Sequence, residues 1–181
     1  SIFQDLKSGD AIIIHNYHLR DLGGKNIKDT RHIMFNKNKK FVSDFPTKIN
    51  LYMKGLKELS TKASKKSISI YLIGSSYRNT DFSYLRHRYR AHIIAIKNLQ
   101  EEKANAQKLN KELSKQIKDK SLNNVTFVDP LAILDKSCGR NMNSFLECYR
   151  DGNHMSDKSS KELLNFFLKN YLKLHNHKNN L

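Results

Sequence analysis

The sequence lacks any run of about 18 apolar residues, the length a helix needs to cross a bilayer, so nothing in it is built to span a membrane as a helix. Ser1-Ile2-Phe3-Gln4-Asp5 carries neither a start Met nor a signal-peptide pattern and reads as the middle of a longer chain. Acidic residues are scarce: 17 Asp and Glu stand against 33 Lys and Arg, a formal charge of +16. Such an excess marks either an anionic partner or a Lys- and Asn-rich bias spread over the surface. The lysines are scattered, and few aromatic residues lie among the arginines, so the stacking platform of a single-strand binder is missing. Surface bias is the better reading, and nucleic acid is not an expected partner. Cysteine is almost absent. Cys138 and Cys148 are too few and too far apart for a zinc centre. A set completed by His175 and His177 would draw its ligands from a polar tail, so no metal or cofactor is expected. One short disulfide loop and two buried thiols both fit the spacing.

What is present suffices for a core. The chain has 181 residues, 38% of them apolar and 9% aromatic, which fits one domain over 1–181. It shows no internal repeat and no linker. Three short runs rich in β-branched and aromatic residues predict strands. Ala11-Ile12-Ile13-Ile14 follows the turn signal Ser8-Gly9-Asp10. A second run, 67–73, is closed by Gly74-Ser75-Ser76. A third, 125–128, is closed by Asp129-Pro130. Helical spacing fills the intervals. It runs over 49–63, with Leu51, Met53, Leu56 and Leu59, and over 82–118, with Leu85, Tyr89, Ile93, Ile96 and Leu99 on one stripe. It returns from Asp157 to Leu174, with Leu163, Leu164, Phe167, Leu168, Tyr171 and Leu172. Ser159 with Glu162 predicts a capping box at the start of that last helix. Gly23-Gly24 and Lys37-Asn38-Lys39-Lys40 mark a loop. Alternation of strand and helix predicts an α/β fold, a parallel sheet with helices on both faces in three layers. Chemistry in such folds gathers at the carboxyl ends of the strands. The segments after Ile14, Ile73 and Val128 are therefore the ones to inspect.

Asp151 and His154 stand three apart, after the last strand and before a helix. At that spacing a carboxylate reaches Nδ1 of the imidazole, fixes its tautomer and supports the imidazolium. Nε2 is then left to take a proton from a serine hydroxyl. A capping loop with an exposed His has the same spacing. The surroundings narrow the choice: Asp129-Pro130, then Cys138, then Cys148, then Tyr149-Arg150-Asp151-Gly152-Asn153-His154-Met155-Ser156, then an amphipathic helix. This order resembles the end of the SGNH hydrolase domain found at the C-terminus of membrane-bound polysaccharide O-acyltransferases. That family shows an Asp-Pro after a strand, two cysteines and a Y-x-D-x-x-H-L-S block; here Met155 replaces the Leu. Asp10-Ala11-Ile12-Ile13-Ile14 is similar to the family's central D-x-V-x-L strand.

The resemblance implies a flavodoxin-like three-layer sheet and a serine-type transfer or hydrolysis of acyl esters, such as O-acetyl groups on a cell-surface glycan. His154 would be the base and Asp151 its orienting acid. Asn16, in His15-Asn16-Tyr17-His18, would be an oxyanion donor, although related domains often carry Arg-Trp there. The loop after the second strand points to the same edge, so Tyr77 and Arg78 read either as substrate contacts or, as the better reading, as ordinary loop residues. Cys138 and Cys148 would form a disulfide pinning the loop that delivers the pair, in an extracytoplasmic setting and fused to a membrane acyltransferase. One departure is large. The family's nucleophile sits in a G-D-S block after the first strand, and no G-D-S occurs here. Gly9-Asp10 is followed by Ala11 and precedes its strand, so Ser8 is a poor nucleophile. The expectation is a domain whose first strand and serine lie upstream. A stand-alone esterase of this fold, or a non-catalytic module that binds glycan or another anion, are the alternatives.

Overall fold

The structure, a computed structural model, describes residues 3–15, 22, 34–35, 41–42, 44–76, 91–137 and 156–172. The chain is an α/β protein. Its elements are β1 (Ala11–His15), β2 (Met34–Phe35), β3 (Phe41–Val42), α1 (Phe45–Ser64), β4 (Ser69–Ile73), α2 (Ala91–Asp119), β5 (Val125–Val128), α3 (Leu131–Ser137) and α4 (Asp157–Asn170). They group into two compact units, Ser1–Ser75 with Asn105–Asp129, and Ser76–Ala104 with Pro130–Leu181.

The first unit holds a parallel sheet in the order β1-β4-β5. β1 pairs with β4 from Ala11↔Ser69 to His15↔Ile73. β4 pairs with β5 from Ile70↔Val125 to Ile73↔Val128. Parallel neighbours require long crossovers, and α1 and α2 lie in them. β4 is the central strand, and Ile70 and Leu72 are fully buried on it. Met53, Leu56 and Ala63 from α1 and Leu109, Leu113 and Ile117 from α2 complete the core around them. β1 is more open: Ile12 and Ile14 pack against the core while Ile13 is 50% exposed.

Local chemistry explains where the elements begin. Lys7 to Asp10 form a turn closed by Asp10 N–H donating to Lys7 O at 3.1 Å, with Gly9 at φ +90°. That φ belongs to glycine at the third position of a type II turn, so Ser8-Gly9-Asp10 does deliver the chain into β1. α1 starts four residues ahead of the expected Ile49. Asp44 caps it by accepting from Thr47 N–H at 2.8 Å, and a Pro lies in its first turn, a signal the apolar spacing overlooks. Hydrogen bonds from Thr47 hold the Asp44 carboxyl below its ordinary pKa. The expected loop around Lys37–Lys40 is bracketed by a short antiparallel ladder, Met34↔Val42 and Phe35↔Phe41.

α1 and α2 end alike. Ser67 N–H donates to Ser64 O and Ile68 N–H to Ala63 O, both at 3.0 Å. Ser121 N–H donates to Lys118 O at 3.0 Å and Leu122 N–H to Ile117 O at 3.2 Å. These paired bonds form Schellman caps, and Ile68 against Ala63 and Leu122 against Ile117 supply the accompanying core residues. The left-handed position is glycine's, yet serine occupies both, at φ 54° and 50°. A left-handed residue with a Cβ costs about 1–2 kcal/mol, and glycine gives back about 0.5–1 kcal/mol in the unfolded chain. Ser67→Gly and Ser121→Gly are each expected to stabilise the protein by about 0.5–1 kcal/mol, read as a higher urea midpoint at unchanged slope.

Asn124 ties α1 to the amino end of the sheet. Its Nδ2 donates to Ser60 O at 3.1 Å and Ile68 O at 3.3 Å, and its Oδ1 accepts from the Ser60 hydroxyl at 2.5 Å.

In the second unit Leu131 and Leu134 of α3 and Leu163 and Phe167 of α4 are buried, and α3 packs on α4. Lys103 and Asp135 pair at 2.9 Å, each about a third exposed, a geometry worth about 0–1 kcal/mol. Tyr171 stacks on Phe167 with ring centroids 5.8 Å apart. The expected capping box at Ser159 is not what starts α4. Ser156 is the cap, its hydroxyl accepting from Ser159 N–H at 3.4 Å. Ser159 lies inside the first turn, buried. The helix starts at Asp157, as its apolar spacing predicts, with Ser156 as the cap and Asp157 as an acidic first turn.

Candidate functional site

The parallel register brings three strand ends to one edge. His15 ends β1, Ile73 ends β4 beside it, and Val128 ends β5 beside Ile73. Gly74-Ser75-Ser76 and Asp129 follow the last two. The ladder continues one step past the strands through Gly74 N–H donating to Val128 O at 2.8 Å.

A single carboxamide organises this edge. Asn110 of α2 is 2% exposed, as is Ser75. Its Oδ1 accepts from Ser75 N–H at 2.7 Å, and its Nδ2 donates to Ser75 O at 2.9 Å and to Asp129 Oδ1 at 2.9 Å. The Asn110 amide thus pairs with the backbone of Ser75 as a neighbouring strand would, and spends its second N–H on the Asp129 carboxylate. Both Asn110 hydrogens are committed. Asn110 is therefore a positioning residue and has no donor left for an oxyanion. Gly74 is required by this arrangement: a Cβ there would lie 2.7 Å from both Asn110 Oδ1 and Phe127 Cζ. Asp129 is held at the mouth of the edge, directly before the proline that leads into α3.

His15 stands at the same edge, where burial lowers its pKa from the ordinary 6.5. The unfolded chain then binds the proton more readily than the native one. Stability is present above pH 6.5 and is lost as the pH falls through that value toward the lower native pKa. Urea unfolding at pH 7.5 and 5.5 is expected to show a drop that is smaller in His15→Gln than in the parent; an equal drop in both would assign it to other groups.

The residues singled out by the sequence fall differently. Asp151, His154, Asn16, Cys138 and Cys148 lie outside the described residues, as do Tyr77, Arg78, His175 and His177. Among the described residues no three His, Cys, Asp or Glu side chains are placed to hold a metal ion, and no helix is long and apolar enough to cross a membrane. Ser8 sits in the turn at the opposite, amino end of β1, away from the carboxyl edge. The residue that sequence reasoning missed is Asn110. Its signal was available: it interrupts the buried stripe of Ala106, Leu109, Leu113 and Ile117 on α2, and a polar side chain on such a face needs a partner.

No protein-family model, curated protein or solved structure matches the chain.

Proposed function

We propose that the chain is the carboxyl-terminal part of an SGNH-type domain that moves an acyl group to or from a glycan hydroxyl. The observation that carries this reading is topological. Within their own sheet β1, β4 and β5 lie side by side in chain order, all parallel, while β2 and β3 form a separate ladder. In the flavodoxin-like order 2-1-3-4-5, three strands that are consecutive in both senses are the third, fourth and fifth. On that assignment Asp129-Pro130 leaves the fifth strand, and the Tyr149–Ser156 block ends on Ser156, the cap of α4. Asp151 and His154 then precede α4 in the sequence, the order of the family pattern. On this reading the serine lies on a strand upstream of β1.

In this mechanism the upstream Ser Oγ attacks the acyl carbonyl while His154 takes its proton. Asp151 orients the ring, and Asn16 donates to the oxyanion. The alkoxide leaves with the proton from His154, giving an acyl-serine. A glycan hydroxyl or water, deprotonated by His154, then attacks that ester and releases the serine. The reaction needs no metal or cofactor. An extracytoplasmic setting, a Cys138–Cys148 disulfide and fusion to a membrane acyltransferase belong to the same reading.

The test uses the full product of the gene. Hydrolysis of p-nitrophenyl acetate is measured for the parent, His154→Ala and Asp151→Asn, and a fluorophosphonate probe locates the reactive serine. Labelling within a G-D-S block, with both variants impaired, supports the reading. A His154→Ala variant as active as the parent would end it.

A further inference from the structure

At the amino end of the sheet in the first unit, opposite the edge organised by Asn110, lies an open groove of ≈ 690 Å³. The last turns of α1 and the turn between α2 and β5 form it. Lys57, Lys65 and Lys120 line it together with Ser64, Ser121 and Asn123, and among the described residues neither a carboxylate nor an aromatic ring is in the lining. Among the described residues none of the three ammonium groups is engaged in an ion pair or a hydrogen bond. Lys66, next to Lys65, behaves otherwise: its ammonium group donates to Phe3 O and Leu6 O and anchors the N-terminal segment.

Two helix C-termini meet this groove, and their carbonyls would ordinarily oppose an anion. Here Ala63, Ser64, Ile117 and Lys118 carbonyls already accept hydrogen bonds from the two Schellman caps. Three full positive charges stand against two half-charges of helix dipole, so the groove stays positive. Lys57, two turns inside α1, serves no helix end. Ser121, held at φ 50°, is a strained residue that joins the lining. Hydroxyl and amide groups beside ammonium groups match the oxygens of a sugar and its acidic substituents. The lack of an aromatic ring removes the stacking that single-stranded nucleic acid uses.

We infer that this groove binds an acidic polysaccharide, with Lys57, Lys65 and Lys120 facing its carboxylate or ester-anion groups. The inference rests on the groove alone and not on the catalytic reading.

The experiment uses the full chain and a fluorescein-labelled octagalacturonate, with binding followed by anisotropy at low ionic strength. The groove variant is Lys57→Gln/Lys65→Gln/Lys120→Gln. The control removes the same charge from the exposed face of α2, Lys108→Gln/Lys111→Gln/Lys115→Gln. The groove variant is expected to weaken binding about tenfold, three exposed charge pairs acting together, and the control less than about threefold. Amide shifts of Ser121 and Asn123 in the parent on titration with the unlabelled octamer give a readout independent of any variant's folding. Equal losses in the two variants, no binding by the parent, or unmoved Ser121 and Asn123 amides would each overturn the inference. So would an octathymidylate that binds as tightly and is as sensitive to the groove substitutions.

Discussion

In the full gene product, His154→Ala is expected to lower the kcat for p-nitrophenyl acetate by about 10⁴-fold or more, with KM little changed. The size follows from how a serine, a base and its orienting acid work as one unit. On the proposed reading, removing the base would strand the serine hydroxyl with its proton, and the residual rate would come from substrate binding and the oxyanion donors. Asp151→Asn should fall almost as far, because an amide at that place stabilises the wrong imidazole tautomer and cannot support the imidazolium. The double variant should lose little more than His154→Ala alone. Additive losses would mean that the two residues do not act together.

The largest expected effect on stability is at Asn110. Asn110→Ala removes the partner of a buried N–H and a buried C=O at Ser75 and one donor to Asp129. A buried group left without its partner costs about 1–3 kcal/mol, and the hole left between Gly74 and Phe127 adds to it. A loss of about 3 kcal/mol is expected, or roughly 10 °C in Tm for a chain of this size. Urea unfolding should show the midpoint move at constant slope. A change below about 0.5 kcal/mol would mean that the carboxamide is not what holds the strand ends.

The parts of the fold legible in the sequence are those where one local rule acts alone. Val125–Val128 and Ala11–His15 read correctly because their apolar runs are short, β-branched and bounded by turns. The start of α1 was missed because Asp44 and the following proline speak through capping chemistry rather than through apolar spacing. The start of α4 at Asp157 is legible from its spacing, but its cap is not: Ser159 and Glu162 imitate a capping box inside a helix that Ser156 has already begun. Asn110 was illegible for another reason: its partners, Ser75 and Asp129, are distant in sequence and meet it only once the sheet has formed. The Asp151–His154 pair, outside the described residues, rests on a spacing with a resemblance around it. The carboxyl edge was legible as a place, since it follows from parallel strands, but not as the particular hydrogen bonds that shape it.

The two asparagine clamps also bear on how the chain reaches its structure. Ser60 and Asn124 are 64 residues apart, and Ser75 and Asn110 are 35 apart. Every bond within the parallel sheet likewise waits on a long crossover. Helices such as α1 can form within microseconds, whereas contacts so distant in sequence bear the entropy of loop closure before they return any energy. The carboxamides at the two ends of the sheet therefore lock late. Until they do, the apolar segment Ile12-Ile13-Ile14 has no completed sheet to lie on, which makes the interval before β1 pairs with β4 the one in which neighbouring chains compete most strongly for it.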